Sequence, residues 1–344
     1  MRRVIAVIVA LLSAIALWFW RAWPDSGAPS PSTADSAAAS LPASVSAGTQ
    51  AERRGQSTAP GVLFEARWGS DESAIGRAPA DESNPEGPMA FAFGDDGALW
   101  ILDQANQRLL RLPRGATKPE RLRMPLLAAQ DLKIAKNGNA VVLDRLGDAA
   151  VHIASPKGEA VATISLAGKG VREVGGITGV FMDGDEIYVE REHGKLVHLG
   201  NARGEASAAR EEMIGRPAAD GRTLLNAGIV DRMSVFVTAL DRSSGAQRFT
   251  RLVGFAEPVQ YVLELDGDRA GLVYLAVVTG TAGRSRIVVH CLSGEDGAPS
   301  GRVELAPSPL ADEVFREIAV KADGGFAYAE RSDRGVKYTL HACR

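Results

Sequence analysis

Five places in the chain carry an acidic residue followed by a long polar one: Asp103-Gln104, Asp144-Arg145, Glu190-Arg191, Glu330-Arg331 and, displaced by a few residues, Asp241-Arg242. Each follows a short β-rich run, where a carboxylate accepts backbone N–H bonds and caps the turn. If these turns emerge on one face, the same ten residues also form a rim of mixed charge that selects a partner by electrostatic complementarity. Four histidines, His152, His198, His290 and His341, recur within a short motif and are of a type that ligates zinc. The fifth, His193, stands in a Glu192-His193-Gly194 turn and reads as exposed. Cys291 and Cys343 are too few and too far apart for paired CxxC metal motifs. The chain has no GxSxG nucleophile elbow, GxxxxGK phosphate loop, HExxH helix or dinucleotide fingerprint.

The elements that must position these residues are short and β-rich, bounded by Gly, Asp, Asn or Ser, and long amphipathic helical stretches are missing. A motif of apolar residue or Thr, then Arg or His, then apolar residue recurs six times, centred on Arg111, His152, His198, Arg251, His290 and His341. The spacings are 41, 46, 53, 39 and 51 residues, near the length of four strands with their turns. A second strand precedes each motif, such as Leu99–Leu102, Ala140–Leu143 or Leu272–Leu275. Ahead of several of these lies a tight turn such as Asp95-Asp96-Gly97 or Lys136-Asn137-Gly138, and the innermost strand comes before it. In the fourth repeat this reading takes Leu225–Val230 as innermost, Ser234–Val237 as second and Thr250–Leu252 as third, leaving only Val253–Pro258 for a fourth strand. The pattern predicts an all-β, six-bladed β-propeller over residues 61–344.

The last repeat ends without a fourth strand, while Val62–Trp68 is an unpaired β segment ahead of the first repeat. Pairing it with Val336–Cys343 would close the ring and remove its open edges. In such a ring the repeated histidines stand on different blades, too far apart to share a metal. Cys291 and Cys343 fall on opposite faces of third strands in neighbouring blades. Packed sheets lie about 10 Å apart, whereas a disulfide needs Cα atoms within about 7 Å, so two buried free thiols are expected.

The first repeat, GPMAFAFGDDGALWILDQANQRLLRL from Gly87 to Leu112, resembles the NHL-repeat propeller family, whose blades run from Gly-Pro through an Asp-Gly turn to an Asp, an Asn and an Arg. Asp131–Ser155 looks like a degenerate second copy. The resemblance implies a propeller used mainly to bind proteins or other ligands. Glu86-Gly87-Pro88 also resembles the opening of the gluconolactonase and regucalcin propellers, and on that analogy Glu86 would ligate a divalent metal at the mouth of the central channel. The remaining motifs of that family have no counterpart here, Ala219-Asp220-Gly221 being the nearest approach, and one matched ligand does not make a site.

Upstream of the repeats, Val4–Trp20 carries no charge, and its 17 residues reach about 26 Å as a helix, enough to cross a bilayer core. Arg2 and Arg3 precede it and Trp18, Trp20 and Trp23 cluster at its far end, which places the N-terminus in the cytoplasm. A cleaved signal peptide is the alternative. The expected organisation is a signal anchor over 1–23, a disordered Ala/Ser/Pro-rich linker over 24–60 and the propeller over 61–344. A net charge of −3 with scattered basic residues gives no nucleic-acid surface. The function expected is a binding or scaffold module on the outer, periplasmic side of a bacterial-type inner membrane, serving a protein or other envelope partner without a cofactor. The alternative is a metal-dependent, lactonase-like hydrolase or lyase with its site in the central channel.

Overall fold

The computed structural model describes residues 61–79, 84–126, 128–281 and 283–343. The anchor and linker expected over 1–23 and 24–60 lie outside the described residues. Six four-stranded antiparallel sheets follow one another along the chain. Strand β1 (Gly61–Arg67) comes first but belongs to the last sheet. The first blade holds β2 (Ala90–Phe93), β3 (Leu99–Asp103), β4 (Arg108–Leu112) and β5 (Glu120–Arg123). The second holds β6 (Asp131–Ile134), β7 (Ala140–Asp144), β8 (Ala150–Ala154) and β9 (Ala160–Ser165), and the third β10 (Ile177–Asp183), β11 (Glu186–Arg191), β12 (Lys195–Asn201) and β13 (Glu212–Ile214). The fourth holds β14 (Arg216–Pro217), β15 (Thr223–Asp231), β16 (Ser234–Asp241) and β17 (Gln247–Gly254). In the fifth are β18 (Val259–Gly267), β19 (Leu272–Thr281), β20 (Arg284–Ser293) and β21 (Pro299–Leu305). The sixth combines β22 (Ile318–Val320), β23 (Phe326–Ser332) and β24 (Gly335–His341) with β1.

β1 pairs antiparallel with β24, Gly61 opposite Leu340 and Arg67 opposite Gly335, so the N-terminal strand closes the ring as the pattern predicts. Phe64 and Ala66 turn inward while Glu65 and Arg67 face solvent, the alternation that fixes strand register. Because each blade is an antiparallel meander, its second-to-third hairpins and the connections to the next blade emerge on one face, here called upper. The first-to-second and third-to-fourth turns emerge on the lower face, where Gly61 also lies.

Apolar side chains pack between neighbouring blades. Five clusters join the first blade to the second, second to third, fourth to fifth, fifth to sixth and sixth to first. Among the described residues no such cluster joins the third blade to the fourth. There Arg216 pairs with Glu190 and Arg242 with Asp183 across the junction.

Two expectations need correction. In the fourth blade the innermost strand is the two-residue β14, so Leu225–Val230 belongs to the second strand, Ser234–Val237 to the third and Thr250–Leu252 to the outer one. A strand of two residues has no alternation to read. Its Asp220-Gly221 turn is the same kind of signal as Asp96-Gly97, and it marked the true frame. The cysteines are also not free: Cys291 and Cys343 form a disulfide with Cα atoms 6.1 Å apart. β24 ends at His341, so Cys343 has left the ladder and is not held at the spacing between packed sheets.

Candidate functional site

The acidic-polar pairs are largely absorbed by the scaffold. Asp103 is buried and accepts the Gly76 N–H at 2.8 Å and Arg108 Nε at 2.7 Å. Gln104 is equally buried, accepting the Met89 N–H and donating to the Gly87 carbonyl. Asp144 accepts the Gly147 N–H, and Arg145 reaches the side chain of Gln130 and the carbonyls of Gly175 and Ile177. Arg191 donates to the Gly170 carbonyl. Glu330 is exposed, whereas Arg331 is buried against Glu317. Asp241 caps its own turn through the Ser243 and Ser244 N–H groups. Since Asp241-Arg242 ends a third strand and not a second, it lies on the lower face, a correction that follows from the short β14. The remaining eight residues stand at upper-face turns.

Of these, Glu190 lines a pocket. This pocket, about 300 Å³, opens on the upper face between the third, fourth and fifth blades. Its walls are Glu190, His193 and Gly194 from the third blade, Leu225 to Ile229 from β15, and Tyr261, Val262 and Leu265 from β18, with Gly215 and Arg216 at one end. Tyr261 and Ile229 are each about half exposed, and Val230 and Met233 extend the apolar rim.

At the base of the pocket Arg216 donates Nε to Glu190 Oε1 at 2.8 Å and Nη2 to Oε2 at 2.9 Å. Thr178 Oγ1 donates to the same carboxylate at 2.9 Å, and His193 Nδ1 lies 3.5 Å away. Burial pushes the Glu190 carboxyl up, but the hydrogen bonds from His193 and Arg216 and the charge of Arg216 outweigh it and hold the group at about 2. A bidentate guanidinium pair of this kind is charge-assisted and directional.

Deeper along the axis, Arg316 donates to both oxygens of Asp131 at 2.9 Å and pairs with Glu264. Arg216, Arg316 and Lys133 all lie against the face of Phe181. Burial raises the Asp131 carboxyl, yet the charge and hydrogen bonds of Arg316 leave it below its ordinary value. Asp266, half-buried with Lys133 3.7 Å away, is instead raised, desolvation prevailing. These charges come from inner strands and one connection of four different blades, so sequence spacing gave no sign that they meet. They fill the central axis as mutually compensated pairs.

Glu86 makes backbone bridges with Ala78 and Glu313. Among the described residues it belongs to no group of three metal-competent side chains. The one such group is Asp144, Asp148 and His152, whose ligand atoms lie within 4.8 Å of one another at an upper-face turn of the second blade. His152 Nε2 is 3.1 Å from Asp148 Oδ2, and Nδ1 lies 3.2 Å from Thr163 Oγ1. The four repeated histidines remain on separate blades.

The sheet pairing defines the chain as a six-bladed β-propeller closed by its N-terminal strand. No protein-family model matches the sequence, and no curated protein matches it. Among solved structures it is similar to hydrazine synthase from Kuenenia stuttgartiensis, at 13% identity and a TM-score of 0.49 over 74% of this chain and 78% of that one. A functionally unknown protein from Desulfotomaculum acetoxidans is 16% identical at a TM-score of 0.48, covering 76% and 87% of the two chains. BamB from Moraxella catarrhalis is 11% identical at 0.37, covering 82% and 99%. Likeness at this level carries no argument about function, and the assignment of the propeller rests on the chain's own strand pairing.

Proposed function

We propose that this protein is a membrane-tethered propeller on the outer side of a bacterial-type inner membrane, binding a protein partner through the upper face at the junction of the third and fourth blades. The observation that carries this reading is the mostly apolar pocket beside exposed Tyr261, Ile229, Val230 and Met233, on the face opposite Gly61. Exposed apolar side chains gathered beside a concave surface are the usual mark of a recognition site. The compensated ion pairs around Arg316 fill the axis where a channel substrate would otherwise reside, which favours surface binding over channel chemistry. The Cys291–Cys343 disulfide suits an oxidising compartment outside the cytoplasm.

Photo-crosslinking in intact cells tests the reading. A benzophenone amino acid in place of Tyr261 should give a discrete adduct, and the same group in place of Lys157, exposed on a lower-face turn, should not. Adducts from position 157 alone, or from neither position, would overturn it.

A further inference from the structure

The pocket has an origin in chain connectivity. The outer strand of the third blade ends at Ile214 and the inner strand of the fourth begins at Arg216, so Gly215 is the whole connection. It has φ of +93°, and a Cβ there would stand 3.1 Å from the Leu224 Cβ and 3.2 Å from the Leu225 carbonyl oxygen, so glycine is required for this direct crossing. The residues that would extend β14 upward, 212 to 214, are already paired with β12. β14 therefore covers only Leu224 and Leu225 of the nine-residue β15. Beyond Leu225, β15 pairs with β16 on one side and with no strand on the other.

The alternation of an antiparallel ladder says which groups are left open. Ala218 N donates to the Thr223 carbonyl, and Arg216 stands opposite Leu225, so odd-numbered residues of β15 direct their backbone polar groups to the inner side. Pro217, which has no N–H, falls at the intervening position where none is needed. Among the described residues the N–H and C=O of Ala227 and Ile229 thus point into the pocket without a backbone partner, spaced about 6.7 Å apart. Burial along β15 falls off beyond Leu225, where β14 stops.

We propose that this gap is a slot for an extended peptide segment of the partner, which adds to β15 as the missing upper half of the fourth blade's inner strand. The inference rests on the docking face argued above and names what is recognised there. Two donor–acceptor sets at strand spacing are complementary to another strand's backbone. The walls supplied by Leu225, Val262, Leu265 and Tyr261 accept an apolar side chain. Glu190 and Arg216 neutralise each other at the base, so the inserted residues are uncharged.

Full-length protein in detergent, panned against a displayed library of random 12-residue peptides, provides the test. Selected peptides should bind wild type, weaken about tenfold in Ala227→Pro, and protect the Ile229 amide from hydrogen exchange in wild type. Ala227→Pro deletes an inner-edge N–H and leaves the β16 ladder intact, an edge position of the kind where proline is tolerated. The wild-type exchange measurement stands even if that variant folds poorly. Failure to select any peptide, equal binding by folded Ala227→Pro, or protection confined to other blades would overturn the slot. Concentration-dependent dimerisation that protects Ala227 and Ile229 without peptide would assign it to a second copy and overturn it too. A crosslink from position 261 that persists in Ala227→Pro would leave the docking face standing while the strand-addition inference fails.

Discussion

Arg216 clasps Glu190 with two hydrogen bonds, of 2.8 and 2.9 Å, across the only blade junction among the described residues that lacks an apolar cluster. The ion pair does there what Val, Leu and Ile do at the other five junctions, and it forms the base of the candidate binding pocket. Stability and the proposed docking site therefore meet at one place.

Removing one partner leaves the other as an uncompensated, mostly buried charge, which costs about 3–5 kcal/mol. Arg216→Met should lower the melting temperature by several degrees, while the double change Glu190→Leu with Arg216→Met should recover most of the loss. A wild-type melting temperature for Arg216→Met in calorimetry would contradict this role.

The same pair predicts an acid dependence. Above about pH 4.5 Glu190 is ionised in both the folded and unfolded chain, and its full contribution, about 3 kcal/mol, is present. As pH falls from 4.5 toward 2 the unfolded chain takes up a proton that the folded one refuses, and stability declines until the contribution is gone below about 2. Urea unfolding between pH 6 and pH 3 should show a steeper loss for wild type than for Glu190→Gln. Parallel losses would show that the carboxylate is not held low.

The disulfide fixes the C-terminal tail of the closing blade to the fifth blade, 52 residues away in sequence. Cys343→Ser should cost about 2–4 kcal/mol. Denatured, unreduced protein should show no reactive thiols, and labelling of two per chain would contradict the bridge.

Much of the fold was legible in the sequence because five blades keep strands long enough to alternate. Phe64 and Ala66 announce the closing strand, and Asp-Gly or Asn-Gly turns mark the hairpins. The fourth blade slipped by one strand because β14 is too short to carry a pattern. The bridge was missed because Cys343 lies past the end of β24, where neither period-2 alternation nor sheet spacing applies. Of the candidate site, sequence supplied Glu190 but not Arg216, Tyr261 or the open edge of β15. An edge is defined by the strand that fails to cover it, which becomes visible only when Gly215 is seen to join two blades directly.

Residue-resolved amide exchange on the unliganded protein measures whether the inner edge of β15 is open at Ala227 and Ile229. Exchange should alternate, slow at Asn226 and Gly228, whose N–H groups bond to β16, and orders of magnitude faster at Ala227 and Ile229. Uniform protection from residue 226 to 229 would mean that the edge is already covered, with no slot for an added strand.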